Sequence, residues 1–250
     1  MAKYCIIGKD ISYTLSPMIY ETMWEGLGEK HTFEVRDIDT LQPFIDELRS
    51  GGLSLKGFTV TSPYKEEIIP FLDRLTPEAE AVGAVNTVRV EEDGTLTGHN
   101  TDVDGFLLSL PQLPGGHLRA LVCGTGGASK AVQEGLRQAG IPFDVVSRTG
   151  HGLTYKRLSS VWDYTHIINA TPLGSSKMPG KRPNLPYDTA SPGTVFFDLN
   201  YDPAVTPFLT EGLTRHGIAL GGLRMLIEMI TGPQWRFLRD GTVGSSPYGA

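Results

Sequence analysis

The 250-residue chain is poor in cysteine: Cys5 and Cys123 are its only two, and each lies inside an apolar, strand-like run. So sparse a supply excludes a disulfide framework, and the apolar surroundings predict buried thiols in a reducing cytoplasm rather than metal ligands. No block of lysine and arginine is present and the net charge is -6, which argues against nucleic acid or an anionic membrane surface as the main partner. A membrane-length apolar run is missing too. The opening Met1-Ala2-Lys3-Tyr4-Cys5 enters a strand pattern at once, so no signal peptide is expected. The six histidines are scattered, and no cluster of His, Cys and carboxylates has metal-ligand spacing, so no metal is expected. His99 alone falls beside a candidate site stretch, and a surface loop position is expected for it. These absences leave small-molecule chemistry in a soluble protein.

Alternation is what the chain does have. Short β-like runs at Tyr4–Ile7, Thr32–Val35 and Gly57–Val60 alternate with helical patterns near Met18–Gly26, Leu41–Arg49 and Lys65–Leu72, which is α/β patterning. Thr87–Val90 and Leu96–Gly98, joined across Asp93-Gly94, read as a hairpin closing a first domain of residues 1–103. A linker is placed at Asp104–Gly116, around the turn cluster Leu113-Pro114-Gly115-Gly116. A second β-α-β pattern follows in Leu118–Cys123, Ala128–Ala139 and Phe143–Val146, with further strands at Ile167–Asn169 and Val195–Leu199, giving a second domain over 104–222. The last strong helical pattern, Leu223–Leu238, is expected to pack back on the first domain, so residues of about 223–250 join it, with a fraying tail at Asp240–Ala250.

Gly124-Thr125-Gly126-Gly127-Ala128-Ser129 sits between a predicted strand and a predicted helix, the context in which a glycine pattern signals a dinucleotide. Glycines let the backbone approach a pyrophosphate, and the N–H groups opening the helix attract that anion. Ser129 stands where the general fingerprint has a third small glycine or alanine. The next strand ends in Ser147-Arg148-Thr149, where an NAD site would carry an acidic residue for the ribose; an arginine suits a 2′-phosphate instead, so NADP is favoured.

Three further stretches fall where predicted strands end, the side that faces ligand in open α/β sheets: Thr14-Leu15-Ser16-Pro17, Gly57 through Lys65, and Gly98-His99-Asn100-Thr101-Asp102. With Gly83-Ala84-Val85-Asn86-Thr87 they offer hydroxyls, an amide, one ammonium and one carboxylate. Their order and spacing resemble the shikimate dehydrogenase family, whose members carry a Ser-x-Ser-Pro loop, Val-Thr-x-Pro-x-Lys, Ala-Val-Asn-Thr and Asn-Thr-Asp-x-x-Gly. The second half is similar to the same family in Asn169–Gly174, Asp198–Pro203, Thr206-Pro207 and Met225-Leu226, so the resemblance covers almost the whole chain.

That resemblance implies an N-terminal α/β substrate-binding domain followed by a Rossmann-type dinucleotide-binding domain, with the C-terminal helix on the first domain. It implies NADPH-dependent, reversible reduction of 3-dehydroshikimate to shikimate, a step of aromatic amino acid biosynthesis. Lys65 and Asp102 would be the catalytic pair, with Thr14, Ser16, Thr61 and Asn86 around the substrate's carboxylate and hydroxyls, and Tyr201 adding a further hydroxyl. Gly124, Thr125, Gly126, Gly127, Ala128 and Ser129, with Ser147, Arg148, Thr149, Leu199 and Gly222, would line the cofactor, and Met225 would lie near the nicotinamide. The residue types suit the chemistry: hydride attack on a ring ketone builds negative charge on oxygen, which an ammonium stabilises and protonates.

The chain departs from the family at several positions. Thr14 replaces a usual serine, Tyr13 and Tyr20-Glu21 stand for a histidine and a His-Asn pair, and Thr59 replaces an asparagine. Gly152 occupies the place of a second phosphate-binding arginine, with His151 and Lys156 as alternatives. Met229 stands where the family has glutamine; a hydrogen bond lost there costs about 1–3 kcal/mol, enough to redirect specificity. A quinate or related ring-acid dehydrogenase therefore stays open beside the leading reading, as does a non-catalytic metabolite or nucleotide sensor. Monomer and homodimer are both compatible with the sequence.

Overall fold

Tyr4-Cys5-Ile6-Ile7 is apolar on both of its faces, as a strand covered on both sides must be, and in the first sheet it has a paired strand on either side. The computed structural model describes residues 1–111, 117–149 and 152–243. Part of the expected linker, residue His151 and the tail beyond residue 243 lie outside the described residues. Two compact units are formed, one of Met1–Gly105 with the segment starting at Ile227, the other of Phe106–Leu226.

In the first unit the chain runs β1 (Lys3–Gly8), α1 (Ser16–Leu27), β2 (Thr32–Asp37), α2 (Leu41–Arg49), β3 (Gly57–Val60), β4 (Arg74–Leu75), α3 (Pro77–Val82), β5 (Thr87–Val90) and β6 (Leu96–His99), and reaches α4 (Asp102–Ser109). The sheet order is β2-β1-β3-β5-β6-β4. The β1, β2 and β3 strands are parallel, while β5 runs against both its neighbours. Helix α2 has its apolar residues at one face, and Leu41, Phe44, Ile45 and Leu48 all sink into the core against Phe58 and Val60 of β3. The hairpin between β5 and β6 turns at Gly94, with φ of 84°, and the Asp93 carboxylate accepts from the Thr95 N–H at 2.9 Å.

The expected helix Lys65–Leu72 does not form. That stretch is a series of turns ending in a 3₁₀ turn at Ile69–Phe71. Pro70 is the physical reason: with no N–H to give and a ring that clashes with the preceding turn, it can open a helical turn, as it does here, but cannot continue a helix. Helix α3, by contrast, was not expected, although Thr76 accepts from the Ala79 N–H as N-cap, Pro77 opens the first turn and Gly83 closes the last at φ of 66°.

The second unit continues with β7 (Ala120–Cys123), α5 (Gly127–Gln138), β8 (Phe143–Ser147), β9 (Leu153–Thr154), β10 (His166–Asn169), β11 (Val195–Asp198), α6 (Pro207–Thr214) and β12 (Ile218–Gly221), and α7 (Leu223–Met229) begins in it and ends in the first unit. Its sheet is parallel throughout in the order β12-β11-β10-β7-β8-β9, which is the Rossmann arrangement. The strand order reverses between β7 and β10, the switch point at which such sheets take a ligand, and Gly124 and Ala170 follow the carboxyl ends of these two strands. Ala131, Val132 and Leu136 of α5 are buried as their spacing predicts.

After α7 the chain makes a π-helical turn at Ile230–Gln234, which contains Pro233, and ends in α8 (Trp235–Asp240). This final segment returns to the first unit: the Trp235 ring lies 5.6 Å from Tyr4, and Phe237 lies 4.7 Å from His99. His99 is consequently not a surface loop residue. It ends β6 with 0 % exposure, and its Nδ1 is 2.8 Å from the Thr76 hydroxyl. Cover from α3 and α8 buries it, and neither is adjacent to it in sequence.

Candidate active site

Within the first unit the loop after β3 carries Lys65, and the start of α4 carries Asp102. The Lys65 Nζ lies 2.7 Å from Asp102 Oδ2, with side-chain exposures of 16 % and 6 %. Two local supports fix this pair. The Lys65 carbonyl accepts from the Val85 N–H at 2.7 Å, and the Asp102 N–H donates to Asn100 Oδ1 at 3.0 Å while Asn100 Nδ2 donates to the Ala84 carbonyl at 2.8 Å. Asn100 was missed as a functional residue because its part is to hold the loop. The only signal for it was its place two residues before the aspartate, where an Asx turn forms. A half-buried ammonium paired with one carboxylate oxygen keeps its remaining protons for an incoming oxygen.

Thr14 and Ser16 sit together at the start of α1, the Thr14 hydroxyl donating to Ser16 Oγ at 3.1 Å. Thr61 leaves β3 with its N–H donated to the Ile7 carbonyl at 2.9 Å. Asn86, buried, precedes β5 and accepts the Thr101 N–H at 2.9 Å on Oδ1. Its Nδ2 lies 3.3 Å from the sulfur of Met229, the residue singled out above as a departure. Thr59, another departure, buries a hydroxyl that has no hydrogen-bond partner among the described residues. Tyr201 and Met225 belong to the second unit.

The glycine loop of the second unit is shaped for backbone contact. Gly124 has φ of 110°, and a Cβ there would sit 3.0 Å from Thr171 Cγ2 and 3.1 Å from the Ala170 carbonyl oxygen. Gly126 is the N-cap of α5 and makes no side-chain cap, which leaves the N–H groups of Gly127 and its neighbours open to an anion. Thr125 is exposed and Ala128 half-buried on the same turn, whereas Ser129 is buried and turns its hydroxyl to the Gly124 carbonyl at 2.7 Å. Ser129 therefore shapes the loop from behind. At the end of β8 the Ser147 hydroxyl donates to the Thr149 carbonyl, and Arg148 and Thr149 are exposed. Gly222 is packed against Leu199: a Cβ on it would stand 2.1 Å from the Leu199 carbonyl oxygen.

Asp198 was not singled out from sequence, yet it organises this unit. Its Oδ1 accepts from Asn169 Nδ2 at 3.1 Å and from the Asn200 N–H at 3.0 Å, and its Oδ2 accepts from the Thr206 hydroxyl. One buried carboxylate thus ties the ends of β10 and β11 to the N-cap of α6. Burial raises its pKa, and the hydrogen bonds from Thr206, Asn200 and Asn169 act the other way.

Comparison with known proteins agrees with this arrangement. The model of the shikimate dehydrogenase substrate binding domain matches residues 6–88. A shikimate dehydrogenase (NADP(+)) of Oleidesulfovibrio alaskensis is 36% identical over 90% of this chain and 85% of its own length. Among solved structures, shikimate dehydrogenase 1 from Peptoclostridium difficile is 29% identical with a TM-score of 0.84, covering 99% of this chain and 95% of that one. The Thermus thermophilus shikimate 5-dehydrogenase in complex with NADP(H) and shikimate is likewise 29% identical, with a TM-score of 0.83 over 99% of this chain and 97% of that one. The chain belongs to the shikimate dehydrogenase family.

Proposed function

We propose that this chain is an NADP-dependent oxidoreductase that reversibly reduces 3-dehydroshikimate to shikimate in aromatic amino acid biosynthesis. The observation that carries the reading is the Lys65–Asp102 pair at 2.7 Å, in a chain whose relatives are named as shikimate dehydrogenases using NADP(+). Lys65 Nζ donates to the ketone oxygen of the substrate, opposes the charge that builds there and delivers the proton that makes the alcohol. Asp102 holds the ammonium by a charge-assisted hydrogen bond and accepts from a ring hydroxyl. Thr14 and Ser16 bind the ring carboxylate, Thr61 and Asn86 the hydroxyls, and Tyr201 supplies a further hydroxyl.

The second unit suits a dinucleotide. The positive φ of Gly124 and the uncapped first turn of α5 give a pyrophosphate a close backbone approach and free N–H donors, and exposed Arg148 offers a planar cation to a 2′-phosphate. Gly124–Ser129, Ser147–Thr149, Leu199 and Gly222 hold the cofactor, with Met225 beside the nicotinamide. When bound, NADPH supplies the hydride.

Cys5 and Cys123 are both free and buried, which fits a reducing cytoplasm. Among the described residues no helix is long and apolar enough to cross a membrane. One observation favours a second substrate: Met229 places a thioether, not an amide, beside Asn86, so a ring acid with another hydroxyl pattern, such as quinate, stays in view. The test follows cofactor absorbance with shikimate or quinate and NADP or NAD, in all four pairings. Turnover with shikimate and NADP is expected to be fastest; silence with that pair overturns the proposal, and activity confined to quinate transfers it to the second substrate.

A further inference from the structure

Tyr20 and Gln234 are buried polar residues with no part in the reaction described so far, at 0 % and 2 % exposure. They are joined to each other and to Asn86 by hydrogen bonds that lie wholly within the first unit. The polarity of this chain can be followed proton by proton. Asn86 Oδ1 accepts from the Thr101 N–H at 2.9 Å, the Thr87 hydroxyl at 2.9 Å and the Thr101 hydroxyl at 3.1 Å. A threonine hydroxyl has a single proton. With both protons given to Asn86, none is left for the 3.3 Å contact between the two hydroxyls, Thr87 and Thr101 only accept, and Gln234 Nε2 stands 3.0 Å and 3.4 Å from their oxygens.

Gln234 must then turn its Oε1 the other way, where the Tyr20 hydroxyl donates to it at 2.8 Å. Tyr20 is itself fixed, its ring stacked on Phe33 at 4.3 Å and tilted against Trp24 at 5.2 Å. Burial also keeps its phenol pKa well above the usual value, so that it remains a donor. Gln234 reaches its partners from the π-helical turn, a backbone irregularity that recurs at functional sites. At the far end Asn86 Nδ2 leaves the relay and, among the described residues, meets a weak acceptor, the Met229 sulfur at 3.3 Å. A ligand oxygen is a better partner for that N–H.

We propose that Tyr20 and Gln234 are positioning residues for substrate recognition: the relay through Thr87 and Thr101 holds the Asn86 amide with its oxygen inward, so that the site presents a donor and selects a ring oxygen that accepts. The Thr101 N–H anchors the same orientation, so loss of the relay loosens Asn86 without reversing it. This proposal rests on the proposed function, because it takes Asn86 to face the substrate.

The test measures steady-state kinetics with shikimate and NADP for the 250-residue chain and for Tyr20→Phe, Gln234→Met and the double variant. Gln234→Met is expected to raise the shikimate KM about fivefold, with kcat changed by less than about twofold and the NADP KM unchanged. Tyr20→Phe is expected to raise the shikimate KM about threefold, and the double variant to be no worse than Gln234→Met, since Tyr20 acts through Gln234. An additive double variant or an unchanged shikimate KM overturns the relay. So does a fall in kcat together with a like rise in both the shikimate and the NADP KM, the mark of a loosened fold. Should Gln234→Met fail to fold, Tyr20→Phe alone carries the KM test. Wild-type protein silent with shikimate overturns the proposed function instead; the same four proteins assayed with quinate then decide the relay, and silence with both acids overturns it too.

Discussion

The two units recognise their ligands by different means. The first gathers its proposed chemistry in side chains: hydroxyls at Thr14, Ser16 and Thr61, the Asn86 amide, and the Lys65–Asp102 pair, steadied by backbone and side-chain hydrogen bonds around them. The second works chiefly through its backbone, with Gly124 and Gly222 placing peptide groups close together, Gly126 opening α5 without a side-chain cap, and Asp198 bracing the strand ends from within. Small hydroxylated rings differ in where their oxygens point, and directional side chains are needed to tell them apart. A pyrophosphate is the same in every dinucleotide, so a fixed cradle of N–H groups suffices, and exposed Arg148 is the side chain proposed to choose between cofactors.

This contrast can be broken by single changes. Lys65→Met should have the largest effect, lowering kcat about a thousandfold while NADPH still binds, as followed by cofactor fluorescence. If cofactor affinity fell equally, the two units would not divide the labour as described. In the second unit Gly222→Ala puts a methyl 2.1 Å from the Leu199 carbonyl oxygen and should destabilise the fold by about 2 kcal/mol in urea unfolding. NADP affinity should drop with it, and shikimate affinity should not.

A pH series sharpens the contrast inside the first unit. Burial lowers the His99 pKa from 6.5 to about 4, so the unfolded chain binds its proton first, and this group costs stability as pH falls from about 6.5 to about 4. Burial raises the Asp104 pKa from 3.8 to about 6, so here the folded chain binds the proton first and stability is gained as pH falls from about 6 to 3.8. The two trends oppose. His99→Asn should leave a chain that firms on mild acidification, and Asp104→Asn one that weakens by on the order of 3 kcal/mol across that window; chemical denaturation at several pH values measures both. Parallel curves for the two variants would refute the assignment. The smallest change is Arg148→Ala, expected to reduce the preference for NADP over NAD about tenfold and to leave kcat with shikimate near wild type.

The same division governed what could be read in advance. Strands β3 and β5 and helix α2 lie where their patterns put them, because each has a strong period and a covered face. The glycine loop and the side-chain stretches of the site were legible through residue type and order. The supports were not. Asn100 had only the local signal of an Asx turn before Asp102, while Asp198 and Gln234 act on groups that the fold brings near from distant parts of the chain. His99 was misplaced for the same reason, since its cover comes from α3 and α8. At Lys65–Leu72 the apolar spacing suggested a helix, and Pro70 overrode it locally.

The π turn at Ile230–Gln234 sets a constraint of another kind. Such a turn holds one residue more than an α-helical turn, and each residue in a helix advances the direction of those that follow by about 100°. Removing one residue here would restore a regular helix but swing Trp235, Phe237 and Leu238, now 3 %, 2 % and 2 % exposed, away from the places they fill. The segment can therefore vary in composition more freely than in length, and across related chains insertions and deletions should be rarer within 230–234 than substitutions.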